Sequence, residues 1–356
     1  MNNLSVRQIY TILIVFSVLL FIPFLGRVHL FDWDEINFAE CAREMLVTRN
    51  YTTVQINFQP FWEKPPLFIW MQALSMKMFG VNEFAARFPN AICGIFTLIT
   101  VFKIGESVYD KRFGFLWGLS FGGSILPFLY FKSGIIDPWF NLFIFSGIYR
   151  LVLITNNVTS SLTVRNGIFA GVFFGLATLT KGPVAILIAL LSVMAFIILQ
   201  RKLWIFSLAS IAAIASSYII VAGSWFLFLF IIGKQQLIND FLAYQLRLFS
   251  TEDSGHGGFF GYHFVVLLIG CFPASLFSFI AWRRFSSDTP FQRFFKNWMV
   301  LLFWVVLILF SIVKTKIVHY SSLCYFPLSF LSAYGINKLL TGESKWRSEE
   351  HTSELQ

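Results

Sequence analysis

The sequence predicts an all-α, polytopic membrane protein, and three observations lead to that fold class. Of the 356 residues, 57% are hydrophobic and 13% are charged, and the mean hydropathy is +0.71. These values exclude an ordinary soluble globular domain. Apolar runs of about 18 residues or more recur along the chain, and each is long enough to cross a bilayer as an α-helix. The 45 phenylalanines suit lipid-facing and interfacial surfaces.

The apolar runs predict about ten membrane-spanning helices. Tyr10–Leu25 is the first, with Arg7 before it. A signal peptide is the alternative, but no small-residue cleavage site follows and further spans do. A long polar section then extends to about Arg87. The other predicted spans cover residues 88–107, 114–131, 138–154, 166–180, 183–200, 205–232, 262–282, 297–313 and 318–340.

Charged residues predict the orientation of these spans. With the N-terminus in the cytoplasm, the short cytoplasmic loops carry more Lys and Arg than the short loops opposite, which is the positive-inside pattern. Because the basic residues are dispersed among loops, the net charge of +9 does not indicate a nucleic-acid partner. Most acidic residues fall on the other side of the membrane. We therefore expect the chemistry to be extracytoplasmic.

The segment FDWDEINFAECAREM, residues 31–45, begins with three acids, Asp32, Asp34 and Glu35, close behind the first span. Ile36–Leu46 has the apolar spacing of an amphipathic helix, which can lie in the membrane interface. Asp34 has two interpretations. It caps this helix while Glu35 complements the helix dipole, or it is a carboxylate at the membrane surface that serves as a general base.

The segment QPFWEKPPLFIW, residues 59–70, sets an acid and a base beside two prolines. Pro65 and Pro66 disfavour helical conformation just before them, so Glu63 and Lys64 should lie in extended chain leading into a helix. The prolines alone could simply mark the start of that helix. Lys64 can meet a phosphate as a point charge, and Glu63 could bind a divalent metal or orient another group.

Further polar residues are expected on the same side of the membrane. Asp137 precedes Pro138 at the start of a span, and Lys181 with Gly182 forms a tight break between two spans. The later loops of this side supply five more: Tyr244, Arg247, Lys316, His319 and Tyr320. Each alone could be a snorkelling cation or a loop residue. Together they suit an anionic lipid headgroup and an acid/base partner.

Motifs of other protein classes are missing from the sequence. The cysteines Cys41, Cys93, Cys271 and Cys324 are far apart, so they suggest neither a zinc-type pair nor a disulfide framework. There is no Walker loop, no GxGxxG after a strand and no HExxH. These absences argue against a nucleotide-sugar donor, which would also lie on the cytoplasmic side. An extracytoplasmic transferase would instead need a donor already present on its own side, such as a polyprenyl-phosphate sugar.

Six motifs in a fixed order carry a resemblance to a known family. WDE, AECAREM, FWEKPPLFIW, FGVNEFAARFPNAICG, LTKGPVA and KTKIVHY follow one another along residues 5–340. Together they resemble the GT-C membrane glycosyltransferases of the aminoarabinose (4-amino-4-deoxy-L-arabinose) transferase and protein O-mannosyltransferase type. The resemblance implies a GT-C transmembrane helix bundle with interfacial helices in the first extracytoplasmic loop.

The resemblance also implies an activity. Such enzymes move a sugar, with inversion, from a polyprenyl-phosphate donor to a lipid A-like glycolipid, another glycan or a protein hydroxyl. They would act in a bacterial inner membrane with the active site facing the periplasm. No cofactor is implied beyond a divalent metal ion that Glu63 could bind.

The implied site has catalytic and substrate-binding residues. The expected catalytic residues are Asp34, which matches the family's catalytic aspartate, and Asp137, which matches a later loop aspartate. Arg247 matches a phosphate-contacting arginine. The expected substrate-binding residues are Glu35, Glu63, Lys64, Lys181, Tyr244, Arg247, Lys316, His319 and Tyr320.

The expected domain organisation is one GT-C transmembrane domain over residues 1–346, with the catalytic loop at about residues 26–88. The family's C-terminal soluble domain is missing, so we expect this domain to be truncated. Residues 347–356, RSEEHTSELQ, break from the apolar pattern and correspond in frame to a common sequencing adapter. We expect them to be an artefact.

Two other functions compete with the enzyme. A lipid or sugar transporter predicts charges near mid-span and internal repeats, whereas the charges here lie mainly at one interface and no repeat is evident. A non-catalytic membrane assembly factor would use the acidic loop to bind a partner. It predicts that replacing Asp34 by Asn leaves glycan transfer intact.

Overall fold

A computed structural model describes residues 5–31, 33–156, 160–201, 206–250, 257–283 and 287–343, and this part of the chain is almost wholly helical. The α-helices are α1 (Val6–Phe21), α2 (Trp33–Thr48), α3 (Leu67–Phe79), α4 (Glu83–Val108), α5 (Lys111–Gly122), α6 (Ile125–Phe131), α7 (Asp137–Asn156), α8 (Ser160–Lys181), α9 (Val184–Gln200), α10 (Leu208–Ile231), α11 (Gln235–Ser250), α12 (Tyr262–Gly270), α13 (Ala274–Ser278), α14 (Pro290–Ile312) and α15 (Tyr325–Leu340). Two 3-10 helices, Phe279–Trp282 and Val318–Cys324, precede α14 and α15. One antiparallel hairpin pairs β1 (Gln55–Ile56) with β2 (Gln59–Pro60).

Five of these helices are long and apolar enough to cross a membrane: α4, α7, α8, α10 and α14. Two bent pairs raise the number to seven if each pair is one span, namely α5 with α6 and α12 with Ala274–Trp282. The pairs bend by 78° and 109°. The chain is thus an integral membrane protein, and the total of ten spans stays a prediction.

The two bent pairs correct the prediction of uninterrupted spans at 114–131 and 262–282. α5 ends at Gly122, and Gly123 and Ser124 follow before α6 begins. In the second pair Pro273 supplies no N–H donor to continue α12. Both breaks lie inside apolar stretches, where hydropathy alone predicts continuity.

Aromatic side chains fill the core of the helical body. Phe145 stacks on Phe326 at 4.3 Å between ring centroids, and Trp117 meets Phe330 edge-on at 5.1 Å. These rings come from α5, α7 and α15, so they tie together helices that are far apart in sequence. Phenylalanine therefore packs the interior here in addition to the lipid-facing surfaces expected for it.

Glycines let α8 and α10 approach closely. Gly167, Gly171 and Gly175 recur every four residues along one face of α8. A Cβ atom at Gly167 would lie 2.9 Å from the carbonyl oxygen of Ser210 in α10. Small residues at this spacing are the usual means by which membrane helices bring their backbones together.

The first loop has a small core of its own. Buried side chains of α2 and α3, among them Phe38, Met45 and Phe68, pack on Ala86 of α4 and on Ile136. Ile136 directly precedes the first residue of α7. The loop is thereby a folded unit that is fixed to the bundle where α7 begins.

Candidate active site

Asp137 is the first residue of α7, and two buried side chains fix the chain that leads into it. Asn90 Nδ2 donates to the carbonyl oxygens of Ser133 and Ile135 at 2.7 and 2.6 Å. Gln72 Nε2 donates to the carbonyl oxygen of Gly134 at 3.3 Å. Because Pro138 follows within the first helical turn, its missing N–H costs α7 no hydrogen bond.

Glu35 and Arg87 form a buried ion pair that fixes the start of α2. Arg87 Nε lies 2.7 Å from Glu35 Oε1, and the two side chains are 3% and 1% exposed. Glu35 also accepts from the backbone N–H of Gly134 at 2.6 Å and of Phe31 at 2.9 Å. Arg87 donates further to the carbonyl oxygen of Val28 at 2.6 Å. The pair therefore joins α2 and α4 to the chain before α7.

Four polar side chains then meet at one end of the bundle. His319 Nε2 lies 3.4 Å from Asp34 Oδ2 and 3.8 Å from Asp137 Oδ2. Lys181 Nζ lies 2.5 Å from Asp137 Oδ1. The Asp34 side chain is 23% exposed, whereas that of Asp137 is 2% exposed. We call Asp34, Asp137, Lys181 and His319 the carboxylate cluster, and Asp34 is its most accessible acid.

The 3-10 helix Val318–Cys324 brings His319 into this cluster. Asn141 of α7 donates through Nδ2 to Ser322 Oγ at 2.7 Å, and Ser322 in turn donates to the carbonyl oxygen of His319. His263 of α12 hydrogen-bonds through Nδ1 to Ser321 Oγ at 3.1 Å. Two helices therefore determine where this short segment sits.

A second group of polar residues lies between the first loop and α11. Lys64 Nζ is 5.2 Å and Arg247 Cζ is 5.3 Å from the centroid of the Tyr244 ring. Glu63 Oε2 lies 3.9 Å from Lys64 Nζ. We call Glu63, Lys64, Tyr244 and Arg247 the cationic cluster. Two cations on one aromatic ring form an arrangement suited to an anionic group.

Gly182 joins the two clusters. It has φ +105°, a value that favours glycine, and it follows Lys181 directly. A Cβ atom at Gly182 would lie 3.1 Å from Phe241 and 3.2 Å from Gln245 Oε1, both on α11. Gln245 in turn donates through Nε2 to the carbonyl oxygen of Glu63 at 3.5 Å. The Lys-Gly-Pro motif therefore supplies Lys181 to the carboxylate cluster. Through Gly182 it also contacts α11, the helix that carries Tyr244 and Arg247 of the cationic cluster.

Comparisons with known proteins agree with this architecture. Residues 63–227 match the family model described as dolichyl-phosphate-mannose-protein mannosyltransferase. The undecaprenyl phosphate-alpha-4-amino-4-deoxy-L-arabinose arabinosyl transferase of Shewanella sediminis is 26% identical over 341 residues, covering 93% of this chain and 60% of that protein. The first enzyme of that name from Proteus mirabilis is 27% identical, covering 95% and 61%. The chain thus spans about 60% of the length of these curated relatives.

Solved structures show the same fold. ArnT from Cupriavidus metallidurans bound to undecaprenyl phosphate aligns with a TM-score of 0.82 at 16% identity, covering 94% of this chain and 61% of that one. The archaeal oligosaccharyltransferase AglB from Archaeoglobus fulgidus aligns with a TM-score of 0.55 at 12% identity, covering 96% and 52%. The chain has the GT-C fold. The resemblance predicted from the sequence motifs is confirmed.

In this GT-C fold, several of the predicted site residues lie together. Asp34, Asp137, Lys181 and His319 form the carboxylate cluster, and Glu63, Lys64, Tyr244 and Arg247 form the cationic cluster. Tyr320 contacts the first of these, because Lys181 Nζ lies 5.1 Å from its ring centroid. The catalytic and substrate-binding roles of these residues stay predictions.

Two residues predicted to bind substrate lie elsewhere. Glu35 is directed into the buried pair with Arg87, so its carboxylate is already occupied. Lys316 caps the end of α14, where Nζ donates to the carbonyl oxygens of Ser311 and Val313 at 2.7 and 2.5 Å. Both side chains are engaged in these contacts, and their substrate-binding roles stay predictions.

A metal ion at Glu63 stays a prediction. In the part of the chain that the structure describes, no group of three or more His, Cys, Asp or Glu side chains could hold a metal ion. Cys41 is not a reactive group either, because burial and the nearby carboxylates of Glu44 and Glu40 raise the pKa of its thiol far above the usual value.

Three positioning residues were missed in the sequence analysis: Gln72, Arg87 and Asn90. Arg87 and Asn90 lie within the NEFAARFPN segment, where polar residues interrupt an otherwise apolar helix. Polar residues inside a span are costly unless they have a partner, and this cost was the available signal. The predicted adapter-derived residues 347–356 lie outside the described ranges.

Proposed function

We propose that this chain is the membrane-embedded catalytic part of an inverting glycosyltransferase. It transfers a sugar from a polyprenyl-phosphate donor to an acceptor outside the cytoplasm. The observation that carries the proposal is the junction at Gly182 of a carboxylate cluster with a cationic cluster. Inverting transfer from a lipid phosphate requires cations that neutralise the departing phosphate and, beside them, a carboxylate that serves the acceptor.

The cationic cluster receives the donor phosphate. As the bond between the sugar C1 and the phosphate oxygen breaks, negative charge accumulates on the departing phosphate. Lys64 and Arg247 neutralise that charge, and cations fixed beside a departing phosphate contribute strongly to such a step. The Lys64 side chain is 13% exposed, so its charge is only weakly screened by solvent.

The carboxylate cluster serves the acceptor on the opposite face of the sugar. If the acceptor is a hydroxyl, Asp34 takes its proton as the oxygen attacks C1. If the acceptor is an ionised lipid phosphate, Asp34 orients it or stabilises positive charge on the sugar. Asp137 is paired with Lys181 and is almost fully buried, so we assign it to organising the cluster.

The site faces away from the cytoplasm in this proposal. The positive-inside pattern supports that orientation, because it leaves both clusters on the side opposite the Lys- and Arg-rich short loops. For a bacterial protein this would be the periplasmic side of the inner membrane. Undecaprenyl phosphate-linked aminopentoses, the donors after which the curated relatives are named, are the first substrates to test.

Transfer by the purified protein in lipid nanodiscs tests the proposal. We expect Asp34→Asn to lower kcat by about 10²–10⁴-fold, the usual contribution of a positioned acid/base group. Lys64→Ala should chiefly raise KM for the donor, since it removes a phosphate contact.

Glu40→Gln is the matched control for Asp34→Asn. Glu40 lies on the same helix and pairs with Arg43 at the surface, at 2.6 Å. We expect its replacement to leave transfer unchanged. An undiminished rate in Asp34→Asn would sink the mechanism and favour a non-catalytic assembly factor.

A further inference from the structure

His319 occupies an unusual position between two carboxylates. Its Nε2 atom faces Asp34 Oδ2 at 3.4 Å and Asp137 Oδ2 at 3.8 Å, and its side chain is 6% exposed. Asp137 Oδ2 is buried without a hydrogen-bond partner, while Oδ1 meets Lys181 Nζ. One imidazole nitrogen therefore lies between a partly accessible acid and a buried acid that retains an unused oxygen.

Other charged or titratable groups lie around the segment that carries His319. On α12, His263 hydrogen-bonds to Ser321, two residues along. On α8, Lys181 lies against the ring of Tyr320. Lys316 is turned toward the end of α14. Tyr325 of α15 is buried, and its ring lies 5.8 Å from that of Tyr130. Among the described residues, Asp34 and Asp137 are the acids that approach the imidazole, and Lys181 pairs with the other oxygen of Asp137.

We propose that His319 is a positioning residue that acts through Asp34: its Nε2 lone pair faces Asp34 Oδ2 at 3.4 Å and receives from Asp34 the proton that the acceptor releases. This role rests on the proposed function. It also commits the enzyme to an acceptor hydroxyl, because an ionised phosphate has no proton to release.

The bonds and charges of this step balance. The acceptor O–H bond breaks, and the oxygen forms a bond to C1 of the sugar. The bond from C1 to the phosphate oxygen breaks, and its electron pair leaves with the polyprenyl phosphate. The proton passes to Asp34 and then to His319 Nε2. The imidazolium formed there faces Asp137 Oδ2, and Lys181 neutralises the other oxygen of Asp137.

The pH dependence of kcat separates this role from a purely structural one. Wild-type activity should fall on the acidic side as the His319 imidazole becomes protonated and can no longer accept. His319→Gln preserves a hydrogen-bonding group that does not titrate. We expect it to lower kcat by about tenfold or more and to move the acidic limb toward the range where carboxylates titrate.

Variants of the neighbouring pair should move the acidic limb in opposite directions. Asp137→Asn removes the anion that faces the imidazolium, so the limb should move to lower pH. Lys181→Met leaves the Asp137 charge uncompensated, so the limb should move to higher pH. Charges at such distances shift a titration by about one unit or more. Misfolding or loosened packing would lower the rate without this opposed pair of shifts.

His29→Gln is the matched control, because His29 is a 99% exposed histidine of the first loop that pairs with Glu83. Its pH profile should equal that of the wild type. Histidine-selective NMR of the protein in nanodiscs adds a measurement that needs no turnover. The signal lost in His319→Gln should titrate at lower pH in Asp137→Asn.

The two possible failures are distinguishable. If the wild-type protein transfers no sugar from any polyprenyl-phosphate donor, the proposed function is overturned, and the proton transfer from Asp34 to His319 falls with it. If the wild-type protein is active but His319→Gln keeps the acidic limb of its pH profile, only the proton transfer to His319 is overturned. The same holds if transfer occurs only to phosphate acceptors, or if the His319 signal titrates unchanged in Asp137→Asn.

Discussion

Asp34 and Glu35 are adjacent in sequence and have different surroundings. Successive residues of an α-helix point about 100° apart, so one carboxylate can face a site while the next is buried behind it. Asp34 approaches His319, and Glu35 enters the ion pair with Arg87. The adjacent acids of WDE predicted a functional role for this segment. It could not divide the roles, because that division depends on which side of α2 meets α4.

Glu35→Gln should strongly destabilise the protein. The substitution leaves the Arg87 guanidinium buried without its counter-charge, and breaking a buried pair in this way costs about 3–5 kcal/mol. The segment before Asp137 would also loosen, because Glu35 accepts from the Gly134 N–H. Thermal unfolding in detergent measures the effect as a lower Tm.

Glu40→Gln is again the control on the same helix. The Glu40–Arg43 pair is about one-third exposed on both sides, and such surface pairs contribute roughly 1 kcal/mol or less. If the two substitutions lowered Tm equally, Glu35 would not have the anchoring role assigned to it.

Helix boundaries and bends account for most differences between the predicted and observed elements. The apolar runs located the long helices well, because a bilayer demands about 20 apolar residues per span. α11 was not predicted, since its sequence QQLINDFLAYQLRLFS is polar on one side and too short to span. Yet α11 carries Tyr244 and Arg247. Its position depends on Phe241 and Gln245 packing at Gly182, a long-range contact that hydropathy does not encode.

The packing of α8 on α10 makes a prediction at the level of elements. Gly171→Ala would overlap the backbone carbonyl of Ile214 and the hydroxyl of Ser217. Since a backbone atom cannot turn aside as a side chain does, the helices must separate. We expect a loss of about 1–3 kcal/mol in stability, typical of overpacking, and a lower Tm in detergent.

Gly118→Ala provides the comparison for this prediction. Gly118 also lies inside a helix, α5, but a Cβ atom there has no neighbour within 4 Å. Alanine should therefore be neutral or stabilising, by up to about 1 kcal/mol, because it is the better helix former. Equal effects at the two positions would mean that α8 and α10 do not pack as described.

On the scale of the whole molecule, α14 separates two Asp–Lys pairs with buried carboxylates in the described part of the chain. Asp137 pairs with Lys181 in the carboxylate cluster, and Asp288 pairs with Lys338 at 3.0 Å. α14 begins just after Asp288 and ends near Lys316, and its 23 residues span about 34 Å. The pairs thus have similar chemistry at opposite ends of the bundle, and composition alone would not have told them apart.

Asp288→Asn should therefore separate stability from activity. Lys338 also meets Glu343 at 2.9 Å and donates to Ser287 Oγ at 2.6 Å, and Tyr334 donates its hydroxyl to Asp288. Loss of the Asp288 charge leaves a buried ammonium with weaker compensation, which should lower Tm by several degrees.

Because this network is a helix length from the carboxylate cluster, KM for the donor and the pH profile of kcat should match the wild type at temperatures where the variant is folded. Asp137→Asn in the same assay should move the pH profile. A shifted pH profile in Asp288→Asn, with none in Asp137→Asn, would reverse the assignment of the two pairs and place the chemistry at the other end of the bundle.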